Sequence, residues 1–220
     1  MRLAALTLLT AALCGCSAAR TEPRSASLQP LTPSQAVDWR SIATEDDRAR
    51  LRQWRAAWVR GLGKAQAAGH GPAIAREGAL VQPDAAIDWE NPPEGNYRCR
   101  TIKIGAKSEG LLDYIAYPPF DCRVRIENGL MSFAKLSGSQ RPLGLFLPDT
   151  SRRMVFLGTL QLGDERRALQ YGRDRERDMA AVVERVAEQR WRVVFPYPHF
   201  ESIVDILELV PATASAESRT

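Results

Sequence analysis

Histidine is scarce in this 220-residue chain, which contains only His70 and His199. Neither residue belongs to a His-x-x-x-His or glutamate-flanked metal pattern. The chain also lacks a Gly-x-Ser-x-Gly nucleophile elbow and a glycine-rich phosphate loop. These absences exclude the common motifs for zinc binding, serine hydrolysis and nucleotide binding. We therefore predict no metal site, no cofactor and no catalytic residue.

One alternative to a non-catalytic protein depends on a histidine. His199 lies in the segment 197–202 and could act as a general base with Glu201 or with a distant serine. The other interpretation is a loop histidine that is hydrogen-bonded locally. A hydrolase that uses His199 is kept as an alternative function.

A large excess of charge of one sign is also absent. The chain has 30 basic and 26 acidic residues, a net charge of +4, and the two signs alternate along its length. Nucleic-acid-binding domains usually gather their basic residues on one face or in one run. The charge pattern therefore predicts no nucleic-acid partner.

Long hydrophobic runs are missing as well. The longest, 3–13, has 11 residues and is interrupted by two threonines, whereas a membrane-spanning helix needs about 20 apolar residues. With Arg2 before it and Leu13-Cys14-Gly15-Cys16 at its end, this run resembles a bacterial lipoprotein signal peptide with its lipobox. The resemblance implies that residues 1–16 carry the signal and that Cys16 is the lipid attachment site.

The residue after Cys16 indicates the membrane to which a bacterial lipoprotein is delivered. An aspartate there is the usual inner-membrane retention signal of this class, and the chain has Ser17 instead. The resemblance therefore implies a cell-envelope lipoprotein anchored in the outer membrane and facing the periplasm. The alternative is an ordinary secretory signal that is cut after Ala18 or Ala19.

The rest of the chain divides by composition. Residues 17–37 are small, polar and proline-containing, which predicts a flexible tether. Residues 38–211 suffice for a single globular domain with a substantial core. The polar segment 212–220 is expected to be a disordered tail.

Cysteine is scarce in the predicted mature domain. Of four cysteines, Cys14 leaves with the signal and Cys16 carries lipid or is removed, so that Cys99 and Cys122 remain. In an oxidising compartment these two are expected to form a disulfide, against the alternatives of free buried thiols or a redox pair. A redox pair usually has Cys-x-x-Cys spacing, and 22 residues separate these two.

The first structured element is a helix over 44–68. Thr44 is a suitable N-cap, and the apolar residues Leu51, Trp54, Trp58 and Leu62 recur at helical spacing. This apolar stripe is expected to pack the helix on the domain, although two tryptophans on one stripe could also bind a partner.

Residues 95–210 have the composition of β-strands. Short runs of β-branched and aromatic residues alternate with turn residues, and Glu127-Asn128-Gly129 indicates a hairpin. The segment 179–189 fits a strand or a helix, and we favour a strand. The predicted fold is mainly β (α+β), with an N-terminal helix that plugs or flanks a small antiparallel β-barrel or strongly curved sheet of about seven to eight strands. The predicted strands are 97–104, 122–126, 130–136, 143–147, 153–162, 191–195 and 202–210.

Five short motifs carry a resemblance to a known family. Over roughly 38–211 the chain resembles domain of unknown function 4893, a family that implies an envelope protein without an assigned activity. The motifs are Gly95-Asn96-Tyr97-Arg98-Cys99-Arg100, Phe120-Asp121-Cys122-Arg123, Gly138-Ser139-Gln140-Arg141, Phe156-Leu157-Gly158-Thr159 and Arg190-Trp191-Arg192-Val193-Val194.

Strand periodicity supplies one candidate site. If the two remaining cysteines tie two strands together, their neighbouring arginines point to the opposite face. Four guanidinium groups would then share that face and could bind an anion or an acidic partner. The alternative is that Asp113, Asp121 and Glu127 neutralise them on an exposed surface. The candidate residues are Arg98, Arg100, Arg123 and Arg125.

Together these observations give three functional hypotheses. The first is a non-enzymatic envelope lipoprotein whose barrel binds a protein partner or a small, anionic ligand. The second is an envelope assembly or structural factor held at the membrane by its tether. The third is the hydrolase based on His199.

Overall fold

The computed structural model describes residues 37–212, so the predicted signal, the lipobox and almost all of the tether and tail lie outside the described residues. The described part contains nine strands. They are β1 (Gly95–Ala106), β2 (Tyr114–Ala116), β3 (Phe120–Glu127), β4 (Leu130–Lys135), β5 (Gln140–Thr150), β6 (Arg153–Leu162), β7 (Asp178–Ala187), β8 (Arg190–Pro196) and β9 (Ser202–Pro211).

Eight of these strands close into an antiparallel barrel. Each strand from β3 to β9 pairs with the next one, and β9 pairs back onto β1 along 97–106, while β1 also pairs with β3. The short β2 is an extra strand beside the second half of β1. The predicted barrel is confirmed, and closure leaves the eight strands with no free edge along most of their length.

Local sequence explains most of the strands. Asn128 and Gly129 both have positive φ, 52° and 77°, and form the predicted two-residue turn between β3 and β4. The ambiguous segment 179–189 is mostly strand β7. It lacks clear alternation because Ala181 and Val183 face the barrel lumen while Ala180 and Val182 are buried under the helices.

The helical region differs from the prediction in detail. Its helices are α1 (Trp39–Ile42), α2 (Glu45–Arg52), α3 (Trp54–Ala65) and α4 (Gly71–Arg76), with a kink at Gln66–His70, where Gly69 has φ 90°, and a 3₁₀ turn at Gly78–Val81. Thr44 is the N-cap of α2, since its hydroxyl accepts a hydrogen bond from the Asp47 amide at 3.2 Å. The helix predicted over 44–68 divides at Gln53, where φ and ψ are −101° and 9°.

The division at Gln53 follows the curvature of the barrel. Leu51 on α2 packs in a cluster with Val182 of β7, whereas Trp58 on α3 packs against Ile104 of β1 and Val194 of β8. One straight helix could not reach both surfaces of a curved wall. The helices therefore flank the barrel, and the tryptophan at 58 packs the helix on the domain as expected.

The core has an inner and an outer part. Inside the lumen, the Phe156 ring contacts Phe133, Phe146 and Phe195 at centroid distances of 5.7–6.0 Å.

Two glycines, Gly144 and Gly158, lie opposite each other on β5 and β6, and a Cβ on either would come within 2.2 Å of a backbone oxygen. This close approach requires glycine at both positions.

Candidate functional site

The barrel lumen is filled at one end and open at the other. A cavity of about 360 Å³ occupies the open end, and we call it the open-end cavity. It is lined by Thr101, Lys103, Tyr117, Pro118, Phe120, Lys135, Ser137, Gly138, Ser139, Gln140, Pro142, Met179, Phe195, Glu201, Asp205 and Leu207. Its size and its mixture of apolar walls with a few polar groups are typical of small-molecule sites.

Strand parity places the two lysines of the cavity. Lys103 lies four residues after Cys99 on β1, and Cys99 is buried in the lumen. Since side chains alternate along a strand, Lys103 also faces the lumen. Lys135 lies opposite Cys122 in the β3–β4 pair, and opposed residues share a face, so it faces the lumen too.

Lys103 is held by acidic neighbours. Its Nζ lies 2.9 Å from Asp205 Oδ2 and 3.3 Å from Glu201 Oε2, and its side chain is 9 % exposed. Burial lowers the pKa of Lys103, but Asp205 and Glu201 outweigh that effect and leave the pKa raised. The Ser202 hydroxyl donates to the other oxygen of Asp205. Lys103 is therefore a charged group whose charge is already compensated.

Lys135 has no such compensation. Its Nζ lies 4.2 Å from the centroid of the Phe120 ring, and the described residues offer it no carboxylate partner. Burial lowers the pKa of Lys135, and the charges of Lys103 and Arg141 lower it further. Gly138, at φ 90°, brings the following loop so close that a Cβ there would lie 3.5 Å from Nζ.

The cavity therefore contains one ammonium group available to an incoming ligand. Lys135 is half-buried among Phe120, Pro142 and other apolar side chains, so an anion beside it would be shielded from water. A group of three or more His, Cys, Asp or Glu residues able to hold a metal ion is not found among residues 37–212. The geometry favours reversible binding of an anion with an apolar body.

The predicted histidine lies in an adjacent recess. His199, Arg50 and Asp178 line a space of about 40 Å³, which shares Lys103 and Asp205 with the open-end cavity. Burial lowers the pKa of His199, and the charges of Arg50 and Lys107 contribute. Glu201 faces Lys103, and no described serine or carboxylate is hydrogen-bonded to the imidazole. The described residues thus bring no general-base pair together at His199.

The four candidate arginines lie on the outside of the barrel wall. Arg98 donates to Asp121 at 2.8 Å, and Arg125 lies 3.8 Å from Glu127. Asp113, the third predicted neutraliser, lies 3.4 Å from Lys64 instead.

The other two arginines also have partners. Arg100 pairs with Glu77 at 2.5 Å and with Glu208 at 3.0 Å, and Arg123 donates to Asn96 at 3.0 Å. Arg100 lies beyond the β1–β3 pairing and is opposite Glu208 on β9. Three of the four arginines thus have acidic partners, as expected if acidic neighbours neutralise the cluster, whereas the partner of Arg123 is a neutral amide. An anion site there stays a prediction.

The predicted disulfide is present in the lumen. Cys99 and Cys122 are bonded, with Cα atoms 6.0 Å apart, and both are almost fully buried. It joins β1 to β3 where the filled end borders the open-end cavity, since Cys122 lies opposite Lys135 and Cys99 lies opposite Phe120, and it belongs to the same core cluster as Phe133.

Sequence reasoning missed the two cavity lysines, although a signal was available. Only four lysines occur in the chain, and two of them share a strand face with a cysteine of the predicted disulfide: Lys103 with Cys99 on one strand, and Lys135 with Cys122 across the predicted hairpin. A lysine at a core-facing position is costly unless it is paired or functional. Asp205 could not be found in this way, since its position opposite Lys103 depends on barrel closure.

Comparison with known proteins gives one match. The family model described as Domain of unknown function (DUF4893) matches residues 39–209. No curated protein and no solved structure gives a significant match. Across residues 37–212, no helix has both the length and the apolar character needed to cross a membrane.

Proposed function

The chain belongs to the DUF4893 family, and from this premise we propose that its domain is a non-enzymatic binding protein for a small anionic ligand with an apolar body. The ligand enters the open-end cavity and places its anionic group beside Lys135. The observation that carries the proposal is the half-buried ammonium of Lys135, which lines a cavity of about 360 Å³ and has no carboxylate partner among the described residues.

The free energy of burying a lysine supports this assignment. A cation removed from water without a partner costs several kcal/mol or loses its proton. The Phe120 ring offsets part of that cost, by about 0.5–2 kcal/mol for a cation over an aromatic face. A bound carboxylate or similar anion would offset the remainder through a charge-assisted hydrogen bond.

The remaining walls suit an alkyl or aromatic body. The cavity is lined by Phe195 and Leu207 of the buried core cluster, by Met179 and Phe120, which pack against that cluster, and by Pro142. An apolar group placed there gains about 25 cal/mol for each Å² removed from water. The ligand is therefore an amphipathic anion and not a bare inorganic ion.

Octanoate and 1-octanol provide matched probes, because they have the same alkyl chain and only octanoate carries a charge. We expect the parent protein to bind octanoate more tightly than 1-octanol in calorimetric titrations. Lys135→Met should weaken octanoate binding about tenfold, the loss of one charge-assisted hydrogen bond. It should leave 1-octanol binding unchanged.

Lys64→Met is the matched control, since it removes one lysine from α3, where the side chain is 44 % exposed and outside the cavity. This variant should bind both probes like the parent. Equal affinity of the parent and Lys135→Met for octanoate would overturn the proposal.

The proposal includes the location of the protein. The lipobox motif at 13–16 supports lipid attachment at Cys16 and an outer-membrane anchor facing the periplasm. Cys16→Ser should move the protein from the membrane fraction to the soluble envelope fraction and abolish labelling by a radioactive fatty acid. Equal labelling of the variant and the parent would contradict the anchor, without bearing on the cavity.

A further inference from the structure

A second cavity lies outside the barrel, between the helices and the wall. It has a volume of about 300 Å³, and we call it the arginine groove. It is lined by Trp39, Arg40, Arg48, Leu51, Arg52, Trp54, Asp149, Arg153, Val155 and Val182. The groove brings together residues from α1, α2, α3, β5, β6 and β7, and no lining residue is shared with the open-end cavity.

The charges of the groove are strongly unequal. Four guanidinium groups line it against a single carboxylate, that of Asp149. The Asp149 side chain is 1 % exposed, so it lies beneath the arginines and away from the groove surface. Both of its oxygens are occupied: Oδ1 accepts from Trp39 Nε1 and Arg40 Nη2, each at 2.9 Å, and Oδ2 accepts from Arg153 Nε at 2.6 Å.

Asp149 and the tryptophans hold two of the four arginines, Arg40 and Arg153. The Arg40 guanidinium lies 4.3 Å from the Trp39 ring centroid, and that of Arg153 lies 5.9 Å from the Trp54 ring centroid. A guanidinium that is already ordered loses less conformational entropy when it binds a ligand. The floor of the groove is thus organised before any ligand arrives.

Several donors in the groove remain unused. Arg153 uses only its Nε, and Arg48 uses only Nη1, which donates to the carbonyls of Arg40 and Ala43. Arg52 lies one helical turn after Arg48 on α2, and its exposed side chain makes no hydrogen bond or ion pair within residues 37–212. The groove thus presents charged N–H groups without protein acceptors, on the held side chains of Arg48 and Arg153 and on the exposed Arg52, and such groups suit an anion with several oxygens.

We propose that the arginine groove binds a phosphate group through Arg48, Arg52 and Arg153. A phosphate carries up to two negative charges and three terminal oxygens, which matches the number of free guanidinium groups better than a single carboxylate does. The same monoester group occurs in soluble phosphate compounds and in the headgroup of phosphatidic acid. This inference is independent of the ligand proposed for the open-end cavity.

The test uses the full chain in an uncharged, phosphate-free detergent at constant ionic strength, titrated with inorganic phosphate by calorimetry. Constant ionic strength removes the general effect of screening. The parent should bind phosphate saturably and bind acetate at least about tenfold more weakly. Arg52→Gln should weaken phosphate binding about tenfold, since Arg52 has no structural partner that the substitution would disturb.

Matched controls separate a site from general positive charge. Arg167→Gln removes one charge from an exposed loop, and Arg166→Gln with Arg167→Gln matches the double variant Arg48→Gln with Arg52→Gln. The controls should bind phosphate like the parent. Absence of saturable binding by the parent, or equal weakening in the controls and the groove variants, would overturn the proposal.

A second arm identifies the source of the phosphate group. The detergent micelles are doped with phosphatidic acid, whose headgroup is a phosphate monoester, and binding of inorganic phosphate is measured again. If the lipid weakens the binding of inorganic phosphate to the parent but not to Arg52→Gln, this result would support a lipid headgroup as the occupant. Unchanged binding of inorganic phosphate would support a free phosphate compound. The octanoate titration can fail while this one succeeds, so the two proposals are tested separately.

Discussion

The two ends of the barrel lumen are built by the same strands and differ in almost every physical property. On β1, Tyr97 and Cys99 face the filled end and are buried, whereas Thr101 and Lys103 face the open end and line the cavity. On β9, Leu209 lies at the filled end and Asp205 at the open end. The backbone pairing is continuous through both ends.

The difference teaches that strand topology does not decide whether a small barrel is a packed core or a binding site. The size and polarity of the inward side chains decide it. At the filled end, aromatic rings and a disulfide occupy the lumen. At the open end, Lys103 pairs with Asp205, and Lys135 lines a cavity that no protein group fills.

The largest loss of unfolding free energy should come from removing a buried aromatic ring at the filled end. Phe156 is fully buried, so Phe156→Ala should lower the free energy of unfolding by about 4 kcal/mol, through lost transfer energy and a residual cavity. Phe120→Ala at the open end removes the same group from a half-buried position. It should cost less than about 2 kcal/mol, because water already reaches this ring. Urea unfolding of both variants measures the contrast, and equal losses would contradict it.

The disulfide provides the next test of the filled end. Replacing Cys99 and Cys122 together by alanine removes a link that closes a loop with a sequence separation of 23 residues. The expected loss is roughly 3 kcal/mol of unfolding free energy in the chain-entropy model. Octanoate affinity should change little, since neither cysteine lines the open-end cavity. Titration of the unreduced, denatured protein should detect no thiol from these two positions.

The smallest effect is a pH dependence at the open end. Burial, with the charges of Lys103 and Arg141, lowers the pKa of Lys135 below its ordinary value of 10.5. Octanoate needs the protonated lysine, so its affinity should be constant near neutral pH and decline as pH rises through that lowered pKa. The decline should therefore begin at a pH where an exposed lysine would still be charged.

The lowered pKa of Lys135 also determines how the free energy of unfolding changes with pH. The unfolded chain holds the Lys135 proton more tightly than the folded protein does, so the lysine destabilises the ligand-free fold at neutral pH. This cost is present in full below the lowered pKa and disappears as pH rises from that pKa to the ordinary value of 10.5. Lys135→Met should show neither the affinity decline nor this stability change, whereas Lys64→Met should show both. A pH profile shared by the parent and Lys135→Met would contradict the assignment.

Much of the fold could be predicted from local signals. The hairpin at Asn128 and Gly129 follows from residues that tolerate positive φ, and the cap at Thr44 follows from its hydroxyl. Two elements could not be predicted in this way. The three residues of β2 are too few to give a pattern, and α1 has a single turn that depends on the contact of Trp39 with the barrel wall.

The sequence by itself determined the strand composition, the turns, the parity that turns Cys99 and Cys122 inward, and the expectation that they are bonded. These properties depend on neighbours within a few residues or on the count of cysteines. Only the tertiary structure decided that the sheet closes, that Lys103 meets Asp205, and that Arg48, Arg52 and Arg153 surround one groove. Such contacts join strands and helices about one hundred positions apart in the chain. No local preference encodes them, because they exist only once β9 has paired with β1 and the helices have packed on the outside of the barrel.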